Sequence, residues 1–378
     1  MTTLFPQESE QKQLASLLSN KEMIVCYGAG GVGKTTTSAA LGIKAAMAGR
    51  RVLVLTIDPA KRLCDTLHIS DEPDEPHAIS AEEFAEQGAE LKGALSIWMV
   101  QPGLVFDRAV REIASSPENA DKLQETRIYK ALRSMISGMQ EYMAGESLYQ
   151  FLSGGDYDLI VLDTPPSRNA VDFLTAPDQL LGFFDSRIIK LFAPSNSRFS
   201  LLGRARKVLQ NVFQQVAGGS FIDQMQEFVT LLLDSVDILR DHAQAIQDQM
   251  MSSKTGHLLI ASPSSDSIEE ILYFRDVLQE QSIRPSGAII NRSLVQQPSV
   301  SIEDHLQEQG NESDDPTTQA ALEKLRPLVQ EEQSMASKHR DTVVKLRSSF
   351  SSQFVLAAPH LGHEIEDLAG LIQLAETL

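Results

Sequence analysis

Eight residues near the N-terminus, Gly28-Ala29-Gly30-Gly31-Val32-Gly33-Lys34-Thr35, constrain this chain more than any other feature of its 378 residues. They fit the pattern G-x-x-x-x-G-K-[ST] at every fixed position. Glycines let the backbone turn its N–H groups toward an anion. The helix that follows aims its positive end at the same place. Lys34 supplies a mobile charge for β- and γ-phosphates, and Thr35 offers a hydroxyl to Mg²⁺. Thr36 belongs with the loop, so the expected nucleotide-binding set runs Gly28, Ala29, Gly30, Gly31, Val32, Gly33, Lys34, Thr35 and Thr36. The flanks agree, since an apolar run, Met23–Tyr27, leads in and a helix-forming run over 36–48 leads out. A chance glycine-rich turn would not need both flanks.

Further apolar runs follow over 51–57, 94–100, 159–162, 257–261, 287–290 and 354–357. Most lack strict alternation, which suits strands buried on both faces. Helical stretches separate most of them. The expected fold class is therefore α/β, with a mostly parallel twisted sheet and helices on both faces. Segments 102–155 and 175–255 carry helical spacing and read as helical insertions into one domain spanning 1–378. The polar, acidic stretch 297–316 reads as an exposed loop.

Composition narrows the function. With 33 basic against 51 acidic residues the formal charge is −18, which repels phosphate backbones and argues against a nucleic-acid binder. Two cysteines, Cys26 and Cys64, are too few for a disulfide framework or a four-cysteine zinc site, and both read as small buried hydrophobes. Residues 1–11 lack an apolar signal core and no run of eighteen apolar residues exists, so a cytoplasmic location without a transmembrane segment is expected.

Two aspartates follow apolar runs: Asp58 in Asp58-Pro59-Ala60 and Asp163 in Asp163-Thr164-Pro165-Pro166. In an open parallel sheet, ligands bind beyond the carboxyl ends of the strands. Asp163 is expected to support Mg²⁺ through water. Asp58 is then free to orient or deprotonate the attacking water. Either could instead be a helix cap or turn residue. Lys34, Asp58 and Asp163 form the candidate catalytic set.

Residues 28–36, Asp58-Pro59-Ala60 and Asp163-Thr164-Pro165-Pro166 resemble the phosphate loop, switch I and switch II of the ArsA family of ATPases. That family includes the arsenite-pump ATPase and the factor that targets tail-anchored membrane proteins. The nearest likeness is to its bacterial anion-transporting ATPase-like branch, through residues 56–63 and 163–170. The resemblance implies a deviant P-loop fold of the SIMIBI type, ATP with Mg²⁺, and a dimer, of two copies or with a paralogue, that ATP closes and hydrolysis reopens. It implies that Asn291 and Pro359 read adenine. It also implies that Lys61, Arg62, Pro165 and Arg168 lie in moving switches, and that Gln140 and Glu141 couple the helical region to the nucleotide.

The family's signature lysine is replaced here by Ala29, so hydrolysis is expected to be slow unless Lys61, Arg62 or Arg168 substitutes. The family's metalloid-binding cysteines and zinc-sharing cysteine pair have no counterpart. Two stripes at helical spacing, Met135, Met139 and Met143, and Phe221, Met225, Phe228, Leu232, Val236 and Leu239, are candidates either for core or for a groove that takes a hydrophobic client. Two rival readings stay open. One is a partition ATPase of the MinD/ParA type. The other is a non-hydrolysing ATP-binding scaffold paired with an active paralogue.

Overall fold

Alternation along one short strand divides the molecule into two cores. In β1 (Met23–Tyr27), Met23, Val25 and Tyr27 join one hydrophobic cluster, while Ile24 and Cys26 join the other. Successive side chains of a strand point to opposite faces, so a fully apolar strand needs cover on both. The computed structural model describes residues 7–57, 62–67, 75–113, 117–125, 140–165, 240–295, 316–350 and 353–378, with isolated positions 69, 129, 130, 133 and 238.

Seven of the strands are those expected. They are β1, β2 (Arg51–Thr56), β4 (Ala94–Met99), β5 (Leu159–Asp163), β6 (Thr255–Ala261), β7 (Gly287–Ser293) and β8 (Phe354–Pro359). The sheet order is β3-β4-β2-β5-β1-β6-β7-β8, and every pairing is parallel except β3 with β4. The unexpected strand, β3 (His77–Ile79), is a three-residue edge element. It is too short to show a period in the sequence.

Helices α1 (Glu8–Asn20), α2 (Lys34–Met47) and the C-terminal Leu368–Thr377 cover one face through Leu14, Leu41 and Leu371. The other face is covered by helices of the segment 102–155. Its described parts are helical: α5 (Pro102–Ile113), α6 (Pro117–Glu125) and α7 (Gln140–Gly154), after the short α3 (Arg62–Thr66) and α4 (Ala81–Glu86). Segment 240–251, the helix α8, joins them through Ile246 and Met250. Helices α9 (Ser265–Glu280) and α10 (Pro316–Ser349) complete the layer, with Phe274 and Val343 buried.

Of the two readings left open for the first stripe, core holds at Met143, which is 4% exposed and belongs to the core cluster with Val105, Phe106 and Leu148. A stripe at helical spacing says that a face is covered, not by what. Met135, Met139, the whole stripe from Phe221 to Leu239 and the segment 297–315 lie outside the described residues.

The end of α8 is fastened to the sheet by a buried histidine. His257 Nε2 donates to the Met250 carbonyl at 2.9 Å, which leaves Nδ1 to accept the Tyr27 hydroxyl at 3.0 Å. Burial pushes the His257 imidazole down to about 4. A base depressed in this way contributes its full stability above its ordinary value near 6.5 and loses it as the pH falls toward 4. Denaturation midpoints should therefore drop across that window, by a contribution of up to about 3 kcal/mol. His257→Gln should be less stable at pH 7 but flatter in acid. An unchanged acid profile would mean that other groups set it.

Candidate active site

The phosphate loop is shaped by what crowds it. Gly33 has φ of +84° and caps α2, and a Cβ there would strike the Asn291 amide. Gly28 is pressed against the Ile260 carbonyl of β6, where a Cβ would not fit. Glycine is required at both places, one for conformation and closeness, the other for closeness alone. The Asn291 Nδ2 donates to the Val32 carbonyl at 2.9 Å and so pins the loop to β7.

Lys34 opens α2 and is 5% exposed, and Asp163 is fully buried. Lys34 Nζ lies 3.0 Å from Asp163 Oδ1 and also donates to the Thr164 carbonyl. The other carboxylate oxygen accepts from Thr35 Oγ1 at 2.6 Å and from Thr56 Oγ1 at 2.9 Å. Strand register explains the convergence, since Asp163 sits opposite Cys26 on β1 and Thr56 on β2. The Thr164 hydroxyl donates to the Cys26 carbonyl at 2.7 Å, and the Ile57 N–H to the Asp163 carbonyl at 3.0 Å. Pro165 is buried beside them. This constellation places an ammonium, a hydroxyl and a carboxylate at the carboxyl ends of three adjacent strands.

A hydroxyl 2.6 Å from a buried carboxylate is a hard-oxygen pair that fits Mg²⁺, which keeps most of its waters and takes phosphate oxygens as ligands. Thr35 would bind the ion and Asp163 would hold it through water. Cys26 has no such role, because burial pushes its thiol up to about 12. Both cysteines are buried, as expected.

From Thr36 a cleft of about 620 Å³ runs outward, and both Asn291 and Pro359 line it. Asn291 lies within β7 and Pro359 ends β8, one residue or two further into strand than the apolar runs indicated. With Nδ2 engaged, the acceptor left on the Asn291 side chain is its carbonyl oxygen. Ala29 lines the smaller cavity at the loop, beside Gly30, Gly31, Lys34 and Thr36, and brings only a methyl group. Asp58, Lys61 and Arg168 lie outside the described residues, as do the side chains of Arg62, Gln140 and Glu141. Arg62 opens α3, and Gln140 and Glu141 open α7.

Sequence reasoning missed three groups. Thr56 is a third donor to Asp163, visible only once β2 and β5 are in register. Thr164 accepts from Lys34 through its carbonyl, which no side-chain pattern records. Arg292 lines the loop cavity and the cleft alike, without any motif to mark it.

The family described as anion-transporting ATPase matches residues 21–315. The chain belongs to this ArsA ATPase family. The match includes the loop, Asp163 and Asn291, whereas Pro359 lies beyond it. Among relatives, the "ATPase ASNA1 homolog" of Cryptosporidium parvum is 25% identical over 76% of this chain and 69% of its own length. The "ATPase GET3" of Malassezia globosa is 25% identical over 61% of this chain and 62% of its own. The "ATPase ARSA1" of Chlamydomonas reinhardtii is 23% identical over 72% of this chain and 35% of its own. The chain thus spans about two thirds of the first two relatives and about a third of the last. All three are named as ATPases, which fits the ArsA family and the phosphate-binding geometry. Among the described residues no helix is long and apolar enough to cross a membrane.

Proposed function

We propose that this ArsA-family chain is a Mg²⁺-dependent ATPase that works as a dimeric, nucleotide-controlled switch. The observation that supports it best is the Lys34–Asp163–Thr35 cluster, in which an ammonium, a carboxylate and a hydroxyl are hydrogen-bonded together at the strand ends. In this reading the backbone amides of Gly30 to Gly33 and the Lys34 ammonium hold the β- and γ-phosphates. Thr35 binds Mg²⁺ and Asp163 supports it, while the ion when bound neutralises phosphate charge. Asp58 aligns the attacking water. Asn291 and Pro359 flank adenine. Residues 58–63 and 163–170 respond to the γ-phosphate, and Gln140 and Glu141 pass the response to the helical layer. A hydrophobic client, which the ArsA resemblance implies, would engage the helical insertions that carry the two stripes.

Lys34→Ala tests the nucleotide reading. Removing the charge that meets the phosphates should weaken ATP binding at least about tenfold, or roughly 1.4 kcal/mol, in calorimetry. Unchanged affinity would end the phosphate-loop assignment. Ala29 alone favours a second reading, an ATP-binding scaffold that does not hydrolyse. Measurable turnover by the purified chain rejects it.

A further inference from the structure

Arg292 holds a backbone conformation that arginine seldom adopts. Its φ is 57°, in the left-handed region, where a Cβ crowds the carbonyl that follows. The β7–β8 pairing shifts register between Ile290 and Ser293 at the same point. Irregularities of this kind re-aim side chains. Backbone strain persists only where the surroundings impose it, and it collects at functional sites.

The consequence is visible in the walls of the cleft. Adjacent residues of a regular strand face opposite sides of a sheet. Here Asn291 and Arg292 both line the cleft that Pro359 lines. Asn291 stays buried against Val32, while Arg292 is exposed and also lines the loop cavity with Ala29, Gly30, Gly31, Gly33, Lys34 and Thr36. Among the described residues Arg292 has no hydrogen bond or ion pair. Glu331 and Glu332 share a third cavity wall with it. Asp163 and Thr164 line neither of the two nucleotide cavities. Arg292 and Thr36 line both cavities, so Arg292 stands where the loop, with Lys34 and Thr35, passes into the cleft.

We propose that Arg292 is a nucleotide-binding residue whose guanidinium meets the α-phosphate, adding within one chain a cation beside the loop that Ala29 leaves without one. Lys34 already serves the β- and γ-phosphates, and the α-phosphate is the one that passes from Thr36 toward the adenine cleft. The proposal rests on the nucleotide reading above. It accounts for the strain at Arg292, because a relaxed strand would turn this side chain to the other face.

Calorimetric titration of ADP and ATP into the parent, Arg292→Ala, Arg292→Lys, Arg292→Gly and Lys34→Ala separates the possibilities. The α-phosphate is common to both nucleotides, so Arg292→Ala should weaken ADP and ATP by the same factor, about tenfold for a lost charge-assisted bond. Arg292→Lys keeps the charge and should lose less. Arg292→Gly should bind as weakly as Arg292→Ala yet unfold no earlier than the parent on heating, because glycine takes a positive φ without strain. Unchanged affinities in Arg292→Ala overturn the proposal. So does a loss confined to ATP, which would put the cation at the γ-phosphate, and so does Arg292→Lys binding as weakly as Arg292→Ala. Lys34→Ala distinguishes the two failures. If Lys34→Ala weakens ATP but Arg292→Ala does not, only the Arg292 role falls. If neither matters, the nucleotide reading falls with it.

Discussion

Asp163→Ala is expected to lower folding stability by about 3–5 kcal/mol, the range for breaking a buried ion pair by removing one partner. Asp163 is fully buried and Lys34 is 5% exposed, so neither charge has water to fall back on. The substitution strands the Lys34 ammonium with only the Thr164 carbonyl. It also leaves the Thr35 and Thr56 hydroxyls without their shared acceptor. Unfolding in urea, parent against variant, reads the effect. Asp163→Asn should recover part of it, since an amide oxygen still accepts from the two threonines. Asp163→Ala should also abolish the Mg²⁺ dependence of ATP binding, because the carboxylate assigned to support the ion is gone. A variant within about 1 kcal/mol of the parent, an ordinary surface-substitution effect, would mean that the cluster contributes no net stability.

The parts of this site that were legible in the sequence are those whose chemistry fixes a spacing. The loop from Gly28 to Thr35 must place amides, an ammonium and a hydroxyl around one phosphate chain, so its pattern is local and complete. The central strands were legible for another reason. Strands such as β1, β5 and β6, buried at every position, have to be mostly apolar, and their polar members Asp163, Thr255 and His257 are hydrogen-bonded. Three-residue β3 carries no such signal, because edge position and antiparallel pairing leave its first two residues exposed.

What stayed hidden depends on contacts far apart in the chain. Thr56 reaches Asp163 across 107 residues, and no local pattern relates them. The positive φ of Arg292 coincides with a register shift against β8, which no local pattern announces. Asn291 and Pro359 reached the site through family likeness, and the cleft wall brings them together. Met143 went the other way. Its stripe fitted groove and core alike, and burial against Phe106 assigned it to the core.

Asp58→Asn should cut ATP turnover by about 10²-fold or more, the scale for a positioned general base. The side chain keeps its size and loses the charge that aligns or deprotonates water. Mg²⁺–ATP binding should survive, because the groups assigned to it, Lys34, Thr35 and Asp163, are untouched. Asp58 follows Ile57, whose N–H is bonded to the Asp163 carbonyl, so the chain leaves β2 directly beside the metal–phosphate cluster. In the proposed reading, switch I begins there. A variant that binds but does not hydrolyse should therefore accumulate as the ATP-closed dimer, seen as a larger species in size-exclusion chromatography with ATP than with ADP. Ala29→Lys supplies the complementary arm. If no other cation reaches the partner's phosphates, restoring the lysine should raise turnover and tighten the same dimer. Equal turnover in the parent and Asp58→Asn would reduce Asp58 to a turn residue. An oligomeric state that ignores nucleotide in both variants would remove the dimeric switch while leaving the ATP site intact.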